Sequence, residues 1–266
     1  MTGEPHEKRV PGVPRVSVVI PTLNEERNIS PVLARLPDSI FELIVIDGRS
    51  TDDTVEEVRR LRPDARLLTQ TGTGKGEALC TGFRAARGEI IVMLDADGST
   101  DPAEIPEFVE VLLGGADVAK GSRFIRGGGS SDITATRRLG NWILSRLVNR
   151  LYGTAYSDLC YGYNAFWANC LPVLDIACEG FEVEALINVQ IAKAKLRVIE
   201  VPSHESARLH GESNLRPIPD GLRILRIILS QRFIARTQAC RDADAARTAS
   251  LAIQMPRLGR PGRHRT

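Results

Sequence analysis

The first half of the chain alternates short apolar runs with helix-like segments, and this alternation restricts the fold more than any other feature. The apolar runs predict four strands, at residues 16–20, 42–46, 65–69 and 89–94. The intervening segments predict three helices, at residues 24–36, 50–61 and 75–87. Repeated strand–helix units of this length form a mostly parallel, doubly wound sheet with right-handed crossovers. The sequence therefore predicts an α/β fold with helices on both faces of the sheet.

The second half of the chain is less regular. Its predicted elements are helices at residues 102–113, 136–152, 182–194 and 219–236, strands at 117–120 and 196–201, and a glycine-rich loop at 127–131. The polar start, residues 1–14, and the arginine-rich end, residues 237–266, are predicted to be disordered. We therefore expect a single domain over residues 15–236.

The charge of the chain is nearly balanced, with 35 basic and 33 acidic side chains and a net charge of +2. A nucleic-acid-binding protein would carry a clustered basic surface, so this balance argues against nucleic acid as a partner. The last 35 residues are an exception, because they hold eight arginines against two aspartates. This basic tail either is solvated or lies on anionic lipid headgroups.

The cysteines and the apolar runs indicate the compartment. The five cysteines form no CxxC pair, which is typical of reduced thiols in the cytoplasm. The N-terminus has no apolar signal-peptide core, and no run approaches the ~18 apolar residues of a spanning helix. We expect a cytoplasmic protein that is soluble or peripheral to a membrane.

Acidic and turn-forming residues follow the predicted strands, at the edge where doubly wound sheets bind ligands. Asp47 follows the second strand, and Asp95-Ala96-Asp97 follows the fourth. Two carboxylates two residues apart can approach one cation, and Mg²⁺ or Mn²⁺ commonly joins such oxygen ligands to a diphosphate. The alternative is a turn with solvated aspartates. Because other strand-end acidic residues lie nearby, we expect a magnesium or manganese site here.

The segment Thr73-Gly74-Lys75-Gly76 carries a cation just ahead of a predicted helix. It matches neither GxxxxGK[ST] nor GxGxxG. A flexible backbone and a lysine at a helix N-terminus still suit a phosphate or the edge of a nucleotide. The alternative is an ordinary helix-entry turn. Lys75 is therefore a candidate contact of a nucleotide.

Several motifs occur in the order that is typical of family 2 glycosyltransferases. They are VVIPTLNEE at residues 18–26, IDGRSTDDT at 46–54, GKGEA at 74–78, MLDADG at 93–98, GSR at 121–123 and RLHGESNL at 208–215. The last two resemble the branch of dolichol-phosphate (polyprenyl-phosphate) mannose synthases. The motifs cover roughly residues 15–230. One departure is Gly48, which stands where the family has a second aspartate.

The resemblance implies a GT-A fold, a Rossmann-like sheet that binds a divalent metal and a GDP- or UDP-hexose. Residues 15–120 would form the nucleotide-sugar half and residues 121–236 the acceptor half. The implied reaction is an inverting transfer of mannose or glucose to a polyprenyl phosphate, at the inner face of the plasma membrane. The protein would contact that membrane as a peripheral partner.

The resemblance also assigns roles to individual residues. The implied nucleotide-sugar contacts are Pro21, Leu23, Glu25, Val45, Asp47, Lys75, Asp95, Ala96, Asp97 and Arg123. Within this set Asp47 would bind the base and Asp95 the ribose. Asp97 would hold the metal together with Asp95 and Ser99. The implied acceptor or phosphate contacts are Arg137, Arg138, Asp158, Tyr161, Arg208 and Asn214.

The nature of the nucleophile decides whether the reaction needs a general base. Arg123 and Arg208, with the metal, would neutralise the leaving diphosphate. A lipid phosphate has a second pKa near ~6 and needs no deprotonation, whereas a hydroxyl acceptor does. The candidate bases are Asp158, Glu182 and Glu184, and each is otherwise an ordinary carboxylate.

The remaining features leave alternatives open. The aromatic residues at 161–167 either line an acceptor groove or pack in the core. The amphipathic helix at 219–236 either packs on the domain or lies in a bilayer interface. Two further functions are a soluble transferase that acts on a hydroxyl in polysaccharide or secondary metabolism, and a catalytically silent nucleotide-sugar-binding protein.

Overall fold

The computed structural model describes residues 14–174, 180, 182–211 and 216–232. The chain divides into two compact units after Ile228, and residues 229–232 are the described part of the second unit. Residues 1–13 of the predicted N-terminal arm, the tail at 237–266 and the candidate Asn214 lie outside the described residues. So do Cys178 and Cys240, while Cys80, Cys160 and Cys170 are described and form no disulfide with one another.

Seven strands of the described residues form one sheet, in the order β3-β2-β1-β4-β7-β5-β8. The strands are β1 (Val16–Thr22), β2 (Glu42–Asp47), β3 (Arg66–Thr69), β4 (Ile90–Met93), β5 (Val118–Ser122), β6 (Gly129–Ser130), β7 (Asn164–Trp167), β8 (Val198–Pro202) and β9 (His204–Glu205). All neighbouring pairs of the large sheet are parallel except those that β7 makes with β4 and β5. The short strands β6 and β9 pair in parallel beside it.

Helices cover both faces of the sheet. They are α1 (Ile29–Ala34), α2 (Thr54–Leu61), α3 (Gly74–Ala85), α4 (Ile105–Leu113), α5 (Ala135–Tyr152), α6 (Val183–Lys193) and α7 (217–232), with 3₁₀ turns at Pro102–Glu104 and Ala168–Val173. Side chains of successive strand residues point to opposite faces. In β1, Val18 therefore packs with Ile29 of α1, whereas Val19 packs with Phe83 of α3 and Ile187 of α6. The predicted mostly parallel sheet with helices on both faces is confirmed.

Two helices begin later than the sequence predicts, because their first residues build turns at the edge of the sheet. Asn24 has a φ of 56°, in the left-handed region, and its Oδ1 accepts a hydrogen bond from the Thr51 backbone N–H at 2.8 Å. The carboxylate of Asp47 accepts hydrogen bonds from the N–H groups of Arg49 and Ser50. These contacts hold the ends of β1 and β2 side by side, so that α1 begins at Ile29 and α2 at Thr54.

The strand β7 has no counterpart in the predicted elements. Its residues, Asn164–Trp167, belong to the aromatic segment for which the sequence leaves core packing or an acceptor groove open. The ring of Phe166 is fully buried and lies edge-on to Phe83 at 5.3 Å, so core packing holds for this side chain. Among the described residues, no helix is long and apolar enough to cross a bilayer.

Candidate active site

A cleft of about 360 Å³ lies at the carboxyl ends of β1, β2 and β4. It is lined by Pro21, Thr22, Leu23, Glu25, Gly48, Gln70, Gly74, Lys75, Ala78, Asp95, Ala96, Asp97, Gly180 and Arg208. Eight of these residues are predicted site residues, and they come from segments that are up to 187 positions apart in the sequence. The parallel sheet brings them together because strand ends of the same polarity meet at one edge.

The turn after β4 presents two carboxylates. Gly98 has a φ of 77°, a backbone conformation that favours glycine, and a Cβ there would meet the Leu209 side chain at 2.6 Å. The backbone N–H of Ser99 donates to Asp97 Oδ1 at 3.0 Å, which fixes the Asp97 side chain. Ser99, the third predicted metal ligand, thus contacts Asp97 through its backbone N–H.

Lys75 joins two carboxylates in the cleft. Its Nζ lies 2.5 Å from Asp95 Oδ1 and 2.6 Å from Glu184 Oε1. Burial alone would lower the pKa of Lys75, but the two carboxylates outweigh it and raise that pKa. Burial raises the pKa of Glu184, and Lys75 opposes this shift. Glu184, predicted as a general base, is therefore buried and paired with a lysine.

Gly162 closes over this cluster of three charges. A Cβ at this position would lie 3.0 Å from Asp95 Oδ2, 3.1 Å from Lys75 Nζ and 3.4 Å from Glu184 Oε1. The first two distances are tighter than most real Cβ contacts, so a side chain here would require Asp95 or Lys75 to shift by a few tenths of an ångström. The backbone of Gly162 thus approaches the cluster closely because this residue has no side chain.

Arg208 is the second cation of the cleft. Its Nη2 lies 2.6 and 2.7 Å from the two carboxylate oxygens of Glu25, and its Nη1 lies 3.3 Å from Asp97 Oδ2. Its Nε donates to the carbonyl of His210 at 2.7 Å, so both sides of the guanidinium are engaged. Burial raises the pKa of Glu25, although hydrogen bonds from Asn28 and Arg208 oppose the shift. Arg208 therefore lies against the predicted metal site, as its assigned phosphate role requires.

The donor atoms of the turn fit a hard divalent cation. Asp95 and Asp97 are 30% and 22% exposed at their side chains, and both carboxylates are held next to cationic groups. Mg²⁺ and Mn²⁺ are usually bound by one or two carboxylates together with substrate phosphates and water. No cluster of three or more acidic, histidine or cysteine ligands occurs among the described residues. The set therefore suits a metal that is shared with a diphosphate.

Arg123 lies away from the cleft, which differs from its predicted contact with phosphates. Its guanidinium makes two hydrogen bonds to Asp158, at 2.7 and 2.9 Å, and one to Glu205 at 3.0 Å. Arg123 and Asp158 are 5% and 0% exposed. The ring of Tyr161 lies under the guanidinium, at 4.9 Å, and its hydroxyl bonds to Ser203. Arg123, Asp158 and Tyr161 thus lie in one buried network, in which the arginine pairs with the carboxylates of Asp158 and Glu205.

Five further predicted residues do not line the cleft. Val45 is fully buried in the apolar core, and the Asp47 carboxylate caps the turn after β2. Arg137 pairs with Asp132 at 2.8 Å, and Arg138 lies over the ring of Phe124. The carboxylate of Glu182 accepts from the backbone N–H of Gly180. Gly180 lines the cleft, whereas Glu182 does not.

Gln70 lines the cleft but has no role in the sequence-based assignment. It directly follows β3, as Asp47 ends β2 and Asp95 closely follows β4. Its position after a strand was the available signal, because residues in such positions meet at one edge of the sheet.

Comparison with known proteins agrees with this geometry. The sequence pattern of glycosyl transferase family 2 matches residues 17–170. The dolichol-phosphate mannosyltransferase of Pyrococcus furiosus is 29% identical over 215 residues, which cover 76% of this chain and 59% of that protein. The undecaprenyl-phosphate mannosyltransferase of Micrococcus luteus is 32% identical over 213 residues, which cover 76% of this chain and 87% of that protein.

A solved structure shares the fold. It is glucosyl-3-phosphoglycerate synthase from Mycobacterium tuberculosis in complex with Mn²⁺, UDP and glucosyl-3-phosphoglycerate, with a TM-score of 0.64 and 25% identity over 82% of this chain and 80% of that chain. The fold is thus the GT-A arrangement that the motifs imply. The family pattern covers more than half of the sequence and includes the strand ends that build the cleft. The chain belongs to glycosyl transferase family 2.

Proposed function

We propose that this protein transfers a hexose, mannose or glucose, from a nucleotide-diphosphate sugar to a polyprenyl phosphate with inversion at the anomeric carbon. The observation that carries the acceptor class is the pairing of the cleft carboxylates. Among the described residues that line the cleft or border it, Asp95 and Glu184 are held by Lys75, and Glu25 and Asp97 by Arg208. A nucleophile that arrives already ionised fits such a site, because it needs no free base.

The charged groups have complementary tasks in this reaction. Asp95 and Asp97 would hold the Mg²⁺ or Mn²⁺ ion, which supplies Lewis-acid neutralisation of the diphosphate. Lys75 and Arg208 are cations with hydrogen-bond donors in the same cleft, and they suit the oxygens of the phosphates. Exchange of a carboxylate partner for a phosphate would let each cation stabilise the leaving group as charge develops on it.

A solvent-exposed face of α5 supports contact with an anionic membrane, which is where a polyprenyl phosphate resides. Leu139, Trp142 and Ile143 are 57%, 58% and 50% exposed, and they lie three and four residues apart on one helix face. Arg146 continues that face, and its guanidinium lies 5.5 Å from the Trp142 ring centre. Tryptophan beside arginine suits the level of the headgroups. We propose that this face docks on the cytoplasmic side of the membrane.

The helix α7 adds exposed apolar surface to the same unit. Ile218 and Leu222 are 72% and 62% exposed, while Ile224 and Ile228 pack with Leu144 of α5. Packing on the domain and contact with a membrane, the two alternatives for this helix, are thus compatible, because they use different side chains of α7.

The relatives support the lipid acceptor, and the solved neighbour supports a second candidate. Two relatives are named for transfer to dolichol phosphate and to undecaprenyl phosphate. The structural neighbour is a synthase of glucosyl-3-phosphoglycerate and binds UDP and Mn²⁺. The second candidate is therefore a soluble phosphorylated acceptor.

A turnover assay separates the candidates. The purified protein is incubated with UDP- or GDP-linked glucose or mannose, Mn²⁺ or Mg²⁺, and either a polyprenyl phosphate in detergent or 3-phosphoglycerate in buffer. With the hexose of the donor radiolabelled, we expect metal-dependent transfer of the label to the lipid extract and no transfer to the soluble acceptor. Transfer only to the soluble compound would refute the lipid assignment, and absence of any donor turnover would support a silent binding protein.

A vesicle assay tests the docking face. Trp142→Ser with Ile143→Ser should reduce sedimentation with vesicles that contain phosphatidylglycerol. Leu113→Ser is a matched control, because Leu113 is 58% exposed on another helix. Equal loss in the control, or no loss in the double variant, would contradict the proposed membrane contact.

A further inference from the structure

Gln70 is a buried polar residue of the cleft whose hydrogen-bonding capacity is unused. It is 6% exposed, and its Oε1 has no hydrogen-bond partner among the described residues. The residue itself lines the cleft. A buried polar atom without a partner is costly and uncommon in native structures, so each one calls for an explanation, of which a bound ligand is one. Among the described residues with such an atom, Gln70 is one that lines the cleft, where a ligand could supply the missing partner.

Hydrogen bonds fix the backbone at Gln70 and at the two residues that follow it. Its N–H donates to the carbonyl of Asp47 at 3.1 Å, in continuation of the pairing between β2 and β3. The guanidinium of Arg49 donates to the carbonyls of Thr71 and Gly72, the latter at 2.9 Å. The carboxamide is thus presented by a fixed segment, which is what selective recognition of a ligand requires.

The position of Gln70 in the sheet matches the base end of a nucleotide. The order β3-β2-β1-β4 places it three strands from the Asp95–Asp97 turn. Neighbouring strands are about 4.8 Å apart, so the separation is roughly 14 Å. A diphosphate at the turn would leave its ribose and base to reach toward β2 and β3.

Gly48 and Leu23 line the cleft beside the ends of β2 and β1. A Cβ on Gly48 would lie 3.0 Å from the Thr22 carbonyl oxygen and 3.3 Å from the Leu23 Cβ. Leu23 is 48% exposed and lines the same cleft. An apolar side chain, a glycine and the Gln70 carboxamide thus line one cleft, which is a combination that suits a flat base.

We propose that Gln70 reads the edge of the base and that the donor is a uridine diphosphate sugar; this inference rests on the proposed function. A carboxamide offers one acceptor and one N–H₂ donor. Uracil presents a ring N–H beside a carbonyl oxygen, so both groups are satisfied at once. The carboxylate of Asp47, the residue whose backbone carbonyl pairs with Gln70, already accepts from the backbone of Arg49 and Ser50.

Guanine fits this arrangement less well. Its ring N–H and carbonyl can meet the carboxamide, but its exocyclic amino group then needs a further acceptor, ideally a carboxylate. A buried donor without a partner lowers affinity by about tenfold or more. The amide of Gln70 therefore favours UDP over GDP, and a carboxylate at this position should reverse the preference.

Calorimetric binding of UDP, GDP, ADP and CDP to the full chain in the presence of MnCl₂ tests this inference. We expect the wild type to bind UDP at least about tenfold more tightly than GDP. Gln70→Leu should raise the dissociation constant of UDP by about tenfold or more. Gln70→Glu should shift the ratio of the UDP and GDP dissociation constants by at least about tenfold toward GDP.

Gln190→Leu is the matched control, because Gln190 is another buried glutamine, 7% exposed, on α6. It should leave the ratio of the two dissociation constants unchanged, and such a ratio does not depend on the fraction of folded protein. A wild type that prefers GDP, ADP or CDP overturns the proposal. So does a ratio that stays within about twofold in both Gln70 variants. If UDP binds but the Gln70 variants leave the ratio of the UDP and GDP dissociation constants unchanged, the inference about Gln70 fails and the proposed function stands. If no nucleotide binds at all, the proposed function fails as well.

Discussion

The pair formed by Lys75 and Glu184 permits a quantitative test of how the cleft is held together. The two side chains are 14% and 6% exposed, and their charged atoms are 2.6 Å apart. Removal of one partner from a buried ion pair costs about 3–5 kcal/mol, because the remaining charge stays buried without compensation. Asp95, the other partner of Lys75, is 30% exposed and can regain water. We therefore expect Lys75→Met to lower the free energy of unfolding by about 3–4 kcal/mol.

A second substitution isolates the charge that causes this loss. Glu184→Gln in the Lys75→Met background removes the uncompensated carboxylate and keeps its shape. It should restore about 2 kcal/mol or more of the free energy of unfolding. The assay is urea denaturation monitored by far-UV circular dichroism. The slope of the free energy of unfolding against urea concentration is compared between variants. Arg59→Met is a control, because the ion pair of Arg59 with Glu56 is exposed to solvent and should contribute less than ~1 kcal/mol.

The dependence on pH gives the sign of the effect. Burial raises the pKa of Glu184 above its ordinary 4.5, and loss of Lys75 removes the charge that opposes this rise. In Lys75→Met the folded state therefore retains a proton that the unfolded chain releases near pH 4.5, so stability falls as the pH rises through the folded pKa. The loss in free energy of unfolding of Lys75→Met, relative to the wild type, should be larger at pH 7.5 than at pH 5.5. Additive single effects, together with equal deficits at both pH values, would refute this account of the pair.

Three further outcomes follow from the structure. Asp97→Asn should abolish metal-dependent turnover by about 100-fold or more while circular dichroism and the melting temperature stay close to wild type; turnover that persists would remove Asp97 from the metal site. Arg123→Met should lower the free energy of unfolding by about 3–5 kcal/mol, because Asp158 is left buried without its partner; a change confined to the donor KM would instead favour the predicted phosphate contact. Burial lowers the pKa of Lys120, whose Nζ has no hydrogen-bond partner among the described residues, so the folded chain gives up a proton that the unfolded chain keeps up to about pH 10.5. Lys120→Met should therefore raise the free energy of unfolding by about 1–3 kcal/mol, and by more at pH 6 than at pH 9; a destabilised variant would contradict this reasoning.

The sequence predicts the donor side of the fold well because its signals are local. Strands β1 to β4 are short apolar runs followed by turn residues, and the motifs at their ends lie within a few residues of each strand. The cleft residues Pro21, Glu25, Lys75 and Asp97 follow directly from that order. Helix starts are less accurate, since the left-handed backbone of Asn24 depends on a contact with Thr51.

The acceptor side depends on contacts between distant residues, which no local pattern reveals. Arg123 looks like a ligand-binding cation in the sequence, but its partners Asp158 and Glu205 follow 35 and 82 positions later. Glu184 looks like an ordinary helical carboxylate until Lys75 is brought against it. A charged side chain can be assigned to a ligand or to a buried pair only after the fold has fixed its neighbours.

The reversed strand β7 has a consequence for how the enzyme can vary. Its first residue, Asn164, pairs with Met93 at the end of β4, so the chain enters β7 at the edge where β4 leaves the sheet. Gly162 is only two positions before that entry and already touches the charged cluster around Asp95. A connection this short has no slack to absorb insertions. We therefore expect new acceptor specificities to arise by change in the longer segments before Gly162. The connection from Gly162 to Asn164 should keep its length.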